Sequence, residues 1–144
     1  MKDNIIFYKN WQDDDLIQLK VVCSSCVATV ISDIYVSDLL IDELVYQIKQ
    51  FLDGNIEYGL WANEEKGDNS TACLSLKFIK KDKLGHIVIE AFAEVDDGGK
   101  YSEHNCCFFV STEYGMLMNF CERLVFLKNK PAGYKIQLNY SKKT

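Results

Sequence analysis

His86-Ile87-Val88-Ile89-Glu90-Ala91-Phe92-Ala93-Glu94-Val95 is the longest alternating stretch in the chain. Ile87, Ile89, Ala91, Ala93 and Val95 fall on one side of an extended backbone, with His86, Glu90 and Glu94 on the other. Successive side chains of a strand point to opposite faces, so a period of two marks a strand with one face on a core and one in water. The flanks repeat the pattern. Residues 71–79 set Ala72, Leu74, Leu76 and Phe78 together, opposite Ser75 and Lys77, and a turn at 80–85 leads into the long strand. Beyond Asp96-Asp97-Gly98-Gly99, residues 104–111 put Cys106, Phe108 and Val110 on one side. Upstream, residues 56–61 carry Ile56, Tyr58 and Leu60 on one face, before a polar loop at 63–70. Regular strands joined by short polar turns predict an antiparallel meander.

Two helices interrupt the strands. Ser37 offers an N-cap, Asp38 suits the first turn, and Leu40, Ile41, Leu44, Val45, Ile48, Phe51 and Leu52 trace one apolar helical face up to Gly54; the spacing predicts a helix over 37–53. Leu117, Phe120, Cys121, Leu124 and Leu127 predict a second over 112–128, capped by Ser111 or Thr112 and ended by Lys128-Asn129-Lys130-Pro131. Before the first helix, residues 5–8 form a short strand candidate, and residues 16–23 and 27–36 read as a hairpin turning at Ser24-Ser25. After the second helix, Tyr134, Ile136, Leu138 and Tyr140 alternate as a last strand. The order β-β-β-α-β-β-β-β-α-β has no βαβ alternation. It predicts an α+β fold: an antiparallel sheet of five or more strands packed with two amphipathic helices.

A chain of 144 residues is the size of one domain, with its core expected at about residues 5–127 and a lysine-bearing strand or solvated tail at 128–144. The net charge is −5, but the tail from Lys128 holds five lysines and no acid, leaving 11 basic against 21 acidic groups in residues 1–127. So acidic a body repels phosphate, which argues against a nucleic-acid partner. The longest apolar run, Cys106-Cys107-Phe108-Phe109-Val110, is far short of the roughly 20 residues a membrane helix needs. No apolar leader segment precedes Asp13-Asp14-Asp15, so the expected compartment is the cytoplasm, where the six cysteines stay reduced.

No residue pattern points to catalysis. The eight glycines form neither a GxGxxG nor a phosphate loop, and there is no GxSxG elbow. His86 and Glu90 stand about 13 Å apart along one strand at ~3.3 Å per residue, which is no local dyad. Cys23-Ser24-Ser25-Cys26 is followed by Val27, Thr29, Val30 and Ile31, not by the helix a redox motif opens. A zinc site would need a second pair, and His104 and Cys106 share a strand face that Cys107 does not. We therefore expect no enzyme activity, no cofactor, no metal and no disulfide.

One resemblance bears on function. Ile34-Tyr35-Val36-Ser37 runs into an amphipathic helix ending in Phe51, Leu52 and Gly54; Gly85-His86-Ile87-Val88-Ile89-Glu90 opens a long strand; Phe109-Val110-Ser111-Thr112-Glu113 opens a last helix at Leu117 and Phe120. Over most of residues 16–127 this layout resembles small bacterial immunity proteins of polymorphic-toxin systems. The resemblance implies a non-enzymatic protein that neutralises a cognate toxin by direct binding. It implies no catalytic residues, and the toxin contacts of such families vary from pair to pair.

The candidate contacts come from charge and aromaticity. Asp13, Asp14, Asp15, Glu64, Glu65, Asp96 and Asp97 lie in turns, where they either serve solubility or form an acidic docking surface for a basic partner. Trp11 and Trp61 stand beside such loops, as interface anchors or as covers of a core edge. Two other readings stand beside the first. One is a small ligand-binding protein or enzyme with a pocket between sheet and helices, lined by Tyr35, Tyr46, Tyr58 or Tyr114. The other is a structural domain that oligomerises through an exposed strand edge.

Overall fold

A computed structural model describes residues 3–63, 73–96 and 103–140. In chain order the elements are β1 (Asn4–Gln12), β2 (Ile17–Ser24), β3 (Thr29–Val36), α1 (Asp38–Leu52), β4 (Gly59–Ala62), β5 (Leu74–Lys80), β6 (His86–Asp96), β7 (Glu103–Glu113), α2 (Tyr114–Phe126) and β8 (Lys135–Gln137). The fold is α+β, but its strands divide between two antiparallel sheets of four, ordered β3-β2-β1-β8 and β4-β5-β6-β7. The expected meander is the second sheet. The first three strands do not continue it, because α1 separates β3 from β4 and β8 returns to pair with β1.

The alternations hold where they were clearest. Ile87, Ile89, Ala91 and Ala93 of β6 are buried, as are Leu74, Leu76 and Phe78 of β5 and Phe108 and Val110 of β7. Both helices bury the faces expected of them: Ile41, Leu44, Ile48 and Phe51 on α1, and Leu117, Phe120, Cys121 and Leu124 on α2. Phe120 meets Phe7 of β1 edge to face at 5.3 Å between ring centroids, and Phe51 meets Phe78 of β5 at 6.1 Å. Each helix thus seats an aromatic ring on a different sheet, and one continuous apolar cluster includes both sheets and both helices.

Three expectations change. Strand β4 spans Gly59–Ala62, and its buried side is Gly59 and Trp61, not Ile56, Tyr58 and Leu60. Gly59 is what inverts the face. A Cβ there would lie 2.9 Å from Phe78 Cδ2, so the strand sits as close as it does only because the side chain is absent. Helix α2 starts one or two residues late. Ser111 and Thr112 are still paired with β6, so Glu113 becomes the N-cap and its side chain caps nothing. Finally, the core does not stop at residue 127: of the strand and the solvated tail open to the C-terminal segment, the strand is found, as β8. Ile136 and Leu138 are fully buried, and Lys128 Nζ reaches Asp42 Oδ1 at 2.9 Å.

Two polar devices fix this C-terminal return. Asn139 is a seam between the sheets: its Nδ2 donates to the Asp3 and Ser111 carbonyls, and its Oδ1 accepts from Thr112 Oγ1. Lys9 is buried with its ammonium at the end of α2, donating to the carbonyls of Leu127 (2.9 Å), Lys128 (3.3 Å) and Lys130 (2.6 Å). Burial lowers its pKa, opposed by the nearby Asp38 carboxylate. A cation belongs at the negative end of a helix, and three carbonyls match the three ammonium protons.

Candidate protein-docking surface

The site begins with a β-bulge. Lys9 pairs with Leu19 and Trp11 with Gln18, so Asn10 is an extra residue on β1. A bulge shifts the alternation by one. Without it, Trp11 would share the inward phase of Phe7 and Lys9. With it, Trp11 stands on the outer face of the first sheet, 46% exposed. Directly across, Gln18 pairs with Tyr35 of β3, and Gln18 Nε2 donates to the Tyr35 hydroxyl at 3.2 Å. Trp11, Gln18 and Tyr35 therefore form one cross-strand row. The neighbouring rows carry Tyr8, Lys20 and Asp33, then Ile6, Val22 and Ile31.

The acidic tip closes the same end of the sheet. Asp13 Oδ1 accepts from the Asp15 and Leu16 N–H groups, both at 2.8 Å, while the Asp13 N–H donates to the Leu16 carbonyl at 3.0 Å. These backbone donors hold the Asp13 carboxyl below its ordinary pKa, the Leu16 N–H contributing most. Asp13 is thus the turn former, and Asp14 and Asp15 are carried on an exposed turn. Ile17 pairs with Val36, so the chain leaves β3 for α1 at this same end. Ser37 caps α1 by accepting from the Leu40 N–H at 3.2 Å, Asp38 occupies the first turn, and Leu39 is 67% exposed. One end of the sheet thus gathers the exposed apolar side chains Trp11, Leu16, Tyr35 and Leu39 and the carboxylates Asp13, Asp14, Asp15 and Asp38.

The other candidates do not join them. Trp61 is 4% exposed, and its Nε1 donates to the Leu40 carbonyl at 2.9 Å. Of the two roles open to it, Trp61 takes the core one, because β4 turns it inward against α1. It floors a groove of ≈ 560 Å³ between α1 and β4, walled by Asp42, Glu43, Tyr46, Gln47, Leu60 and Ala62. Glu64, Glu65 and Asp97 lie outside the described residues, and Asp96 ends β6. The four tyrosines are spread over the described residues. Tyr35 is on the outer sheet face, Tyr46 lines the α1–β4 groove, and Tyr114 lines a second groove of ≈ 330 Å³. Tyr58 lies under Lys77 Nζ, 4.6 Å from its ring centroid.

The histidine and cysteine candidates lie elsewhere in the fold. His86 Nδ1 contacts not Glu90 but Asp82 Oδ2, at 2.6 Å, and Asp82 Oδ1 accepts from the Leu84 and His86 N–H groups of the β5–β6 turn. Those bonds, the His86 ring first, lower the Asp82 pKa. Of the CxxC pair, Cys23 faces the core while Cys26 is exposed. Burial pushes the Cys23 thiol up to about 12 and Cys121 up to about 11, and so keeps both in the un-nucleophilic thiol form. Among the described residues no three His, Cys, Asp or Glu side chains are grouped to hold a metal ion, and no helix is long and apolar enough to cross a membrane.

No family model, curated protein or solved structure matches this chain. Leu16, Leu39 and Asp38 were not among the contacts expected from the sequence. Leu39 falls off the apolar stripe of α1, and an apolar residue beside Asp38 on the wet face is the signal that pointed to it. Leu16 sits at the edge of an alternation whose inward set is Ile17, Leu19, Val21 and Cys23, and was hidden by that proximity.

Proposed function

We propose that this chain is a non-enzymatic protein-binding domain, and that it serves as an immunity protein, neutralising a cognate bacterial toxin by direct binding in the cytoplasm. The observation that carries the reading is the exposed Trp11–Gln18–Tyr35 row beside the turn of Asp13, Asp14 and Asp15. An aromatic anchor on a rigid sheet, rimmed by charge, is the usual make-up of an interface hot spot. The rim is acidic on an acidic body, so the partner surface that complements it is basic. The chain layout that resembles polymorphic-toxin immunity proteins supports the narrower reading.

The test is direct. The purified chain is titrated calorimetrically with the toxin domain encoded beside its gene, and toxin activity is followed in the same mixture. Saturable binding with loss of toxin activity is the expected result. Absence of heat together with undiminished toxin activity contradicts it.

A further inference from the structure

The two sheets expose four strand edges, and three of them are guarded. β3 carries Asp33 at its middle, β8 is three residues long, and β4 is four residues long with its Leu60 N–H donated to Gln47 Oε1 of α1. Charge, shortness and coverage are the ordinary means of stopping edge-to-edge pairing. Among the described residues, β7 is covered only at its C-terminal end. It is an edge strand of eleven residues, and His104-Asn105-Cys106-Cys107-Phe108-Phe109-Val110-Ser111-Thr112 contains no acid, no lysine, no arginine and no proline.

The hydrogen-bond phase says which groups are open. Ser111, on the outer side of the ladder, donates its N–H to Asp3 Oδ2, and its carbonyl accepts from Asn139 Nδ2. Residues two apart share a phase, so Asn105, Cys107 and Phe109 also aim their N–H and C=O groups away from β6. None of these three has a partner strand on that side among the described residues, and their side chains are exposed, Phe109 by 55%.

We propose that the β7 edge is a dimer interface, in which a second copy of this chain pairs antiparallel through Asn105, Cys107 and Phe109 and joins two four-stranded sheets into one of eight. An antiparallel edge is complementary to itself about a two-fold axis, which makes it an isologous contact. Charge selects the same occupant. The body is strongly acidic, but residues 104–112 carry no acid, so the paired segments of two copies set no carboxylate directly opposite another. The edge belongs to the second sheet, and its capped end meets the start of β1, whereas Trp11 lies at the far end of β1. The dimer therefore leaves the proposed docking surface open.

Sedimentation equilibrium of the full chain across the micromolar range is the experiment. The mass should rise from 16.6 kDa towards twice that value as concentration increases. Hydrogen exchange at the Asn105, Cys107 and Phe109 amides should slow over the same range. Cys107→Pro removes an N–H that has no acceptor among the described residues, so dimerisation should be lost while the circular dichroism is kept. Phe109→Lys, which leaves the backbone intact, should weaken association by about tenfold or more, because it replaces an apolar ring at the seam by an edge lysine that must be desolvated on pairing. A wild-type mass that stays at 16.6 kDa throughout, or a dimer that survives both substitutions, overturns the proposal.

Discussion

At Asn10 the first strand takes one residue more than its partner, and Trp11 faces water as a result. The two tryptophans of the chain consequently have opposite duties, and mutation separates them. Trp11→Ala removes a side chain that supports little of the fold, so stability should change by less than about 0.5 kcal/mol, as for most surface substitutions. Trp61→Ala empties a packed site and unmakes the bond to Leu40, and should cost roughly 3–5 kcal/mol. Urea midpoints of the two variants check this, and similar losses at both sites would mean that the bulge does not expose Trp11. A second residue-scale prediction concerns acid. The Asp13 carboxyl titrates below its ordinary value when folded, because its charged form accepts the Leu16 and Asp15 N–H groups. The unfolded chain binds that proton more tightly, so the contribution is complete above pH 3.8 and disappears as pH falls through the folded pKa. Asp13→Asn keeps an acceptor oxygen but cannot titrate, so the decline of the urea midpoint below pH 3.8 should be shallower.

Strand β4 shows at the scale of an element what a glycine can conceal. Gly59 contributes nothing to a hydropathy pattern, yet it lies on the buried side and lets the strand rest on Phe78 and on the Gln47 carbonyl. Gly59→Ala should therefore overpack the contact and cost about 1–3 kcal/mol. A thermal midpoint equal to that of the wild type would contradict this placement. Elements with an uninterrupted period were legible in advance, namely β5, β6, β7 and the buried faces of both helices. Those decided by partners far along the chain were not. The cap of α2 depends on Ser111 and Thr112 remaining in the β6 ladder, and the bulge in β1 depends on its register against β2. The candidate site was legible only in its parts. Asp13, Asp14, Asp15 and Trp11 are adjacent in sequence, but Tyr35 joins them only through Gln18, and Leu39 only because Ile17 pairs with Val36.

Over the whole molecule, the two-sheet arrangement divides the labour. The second sheet, with α1 on its β4 side, ends in the eleven-residue strand β7; the first offers a wet face with a tryptophan, a tyrosine and an acidic tip. The C-terminal segment ties the two together, because β8 completes the first sheet and Asn139 reaches the end of β7. An acidic body with an aromatic anchor makes a specific kinetic claim about partner binding, since exposed charge acts mainly on encounter and a packed ring mainly on escape. The most direct measurement is surface-coupled binding kinetics against the toxin domain that the proposed function requires, at two salt concentrations, for the wild type, for Trp11→Ala, and for a variant with Asp13, Asp14 and Asp15 changed to Asn. Neutralising the tip should lower the association rate and flatten its salt dependence, because exposed charges are screened beyond about 8 Å at physiological salt. Trp11→Ala should leave association nearly unchanged and raise the dissociation rate about 30-fold, as expected for loss of a 2 kcal/mol hot spot. Wild-type rates in both variants at both salt concentrations would contradict binding through this surface.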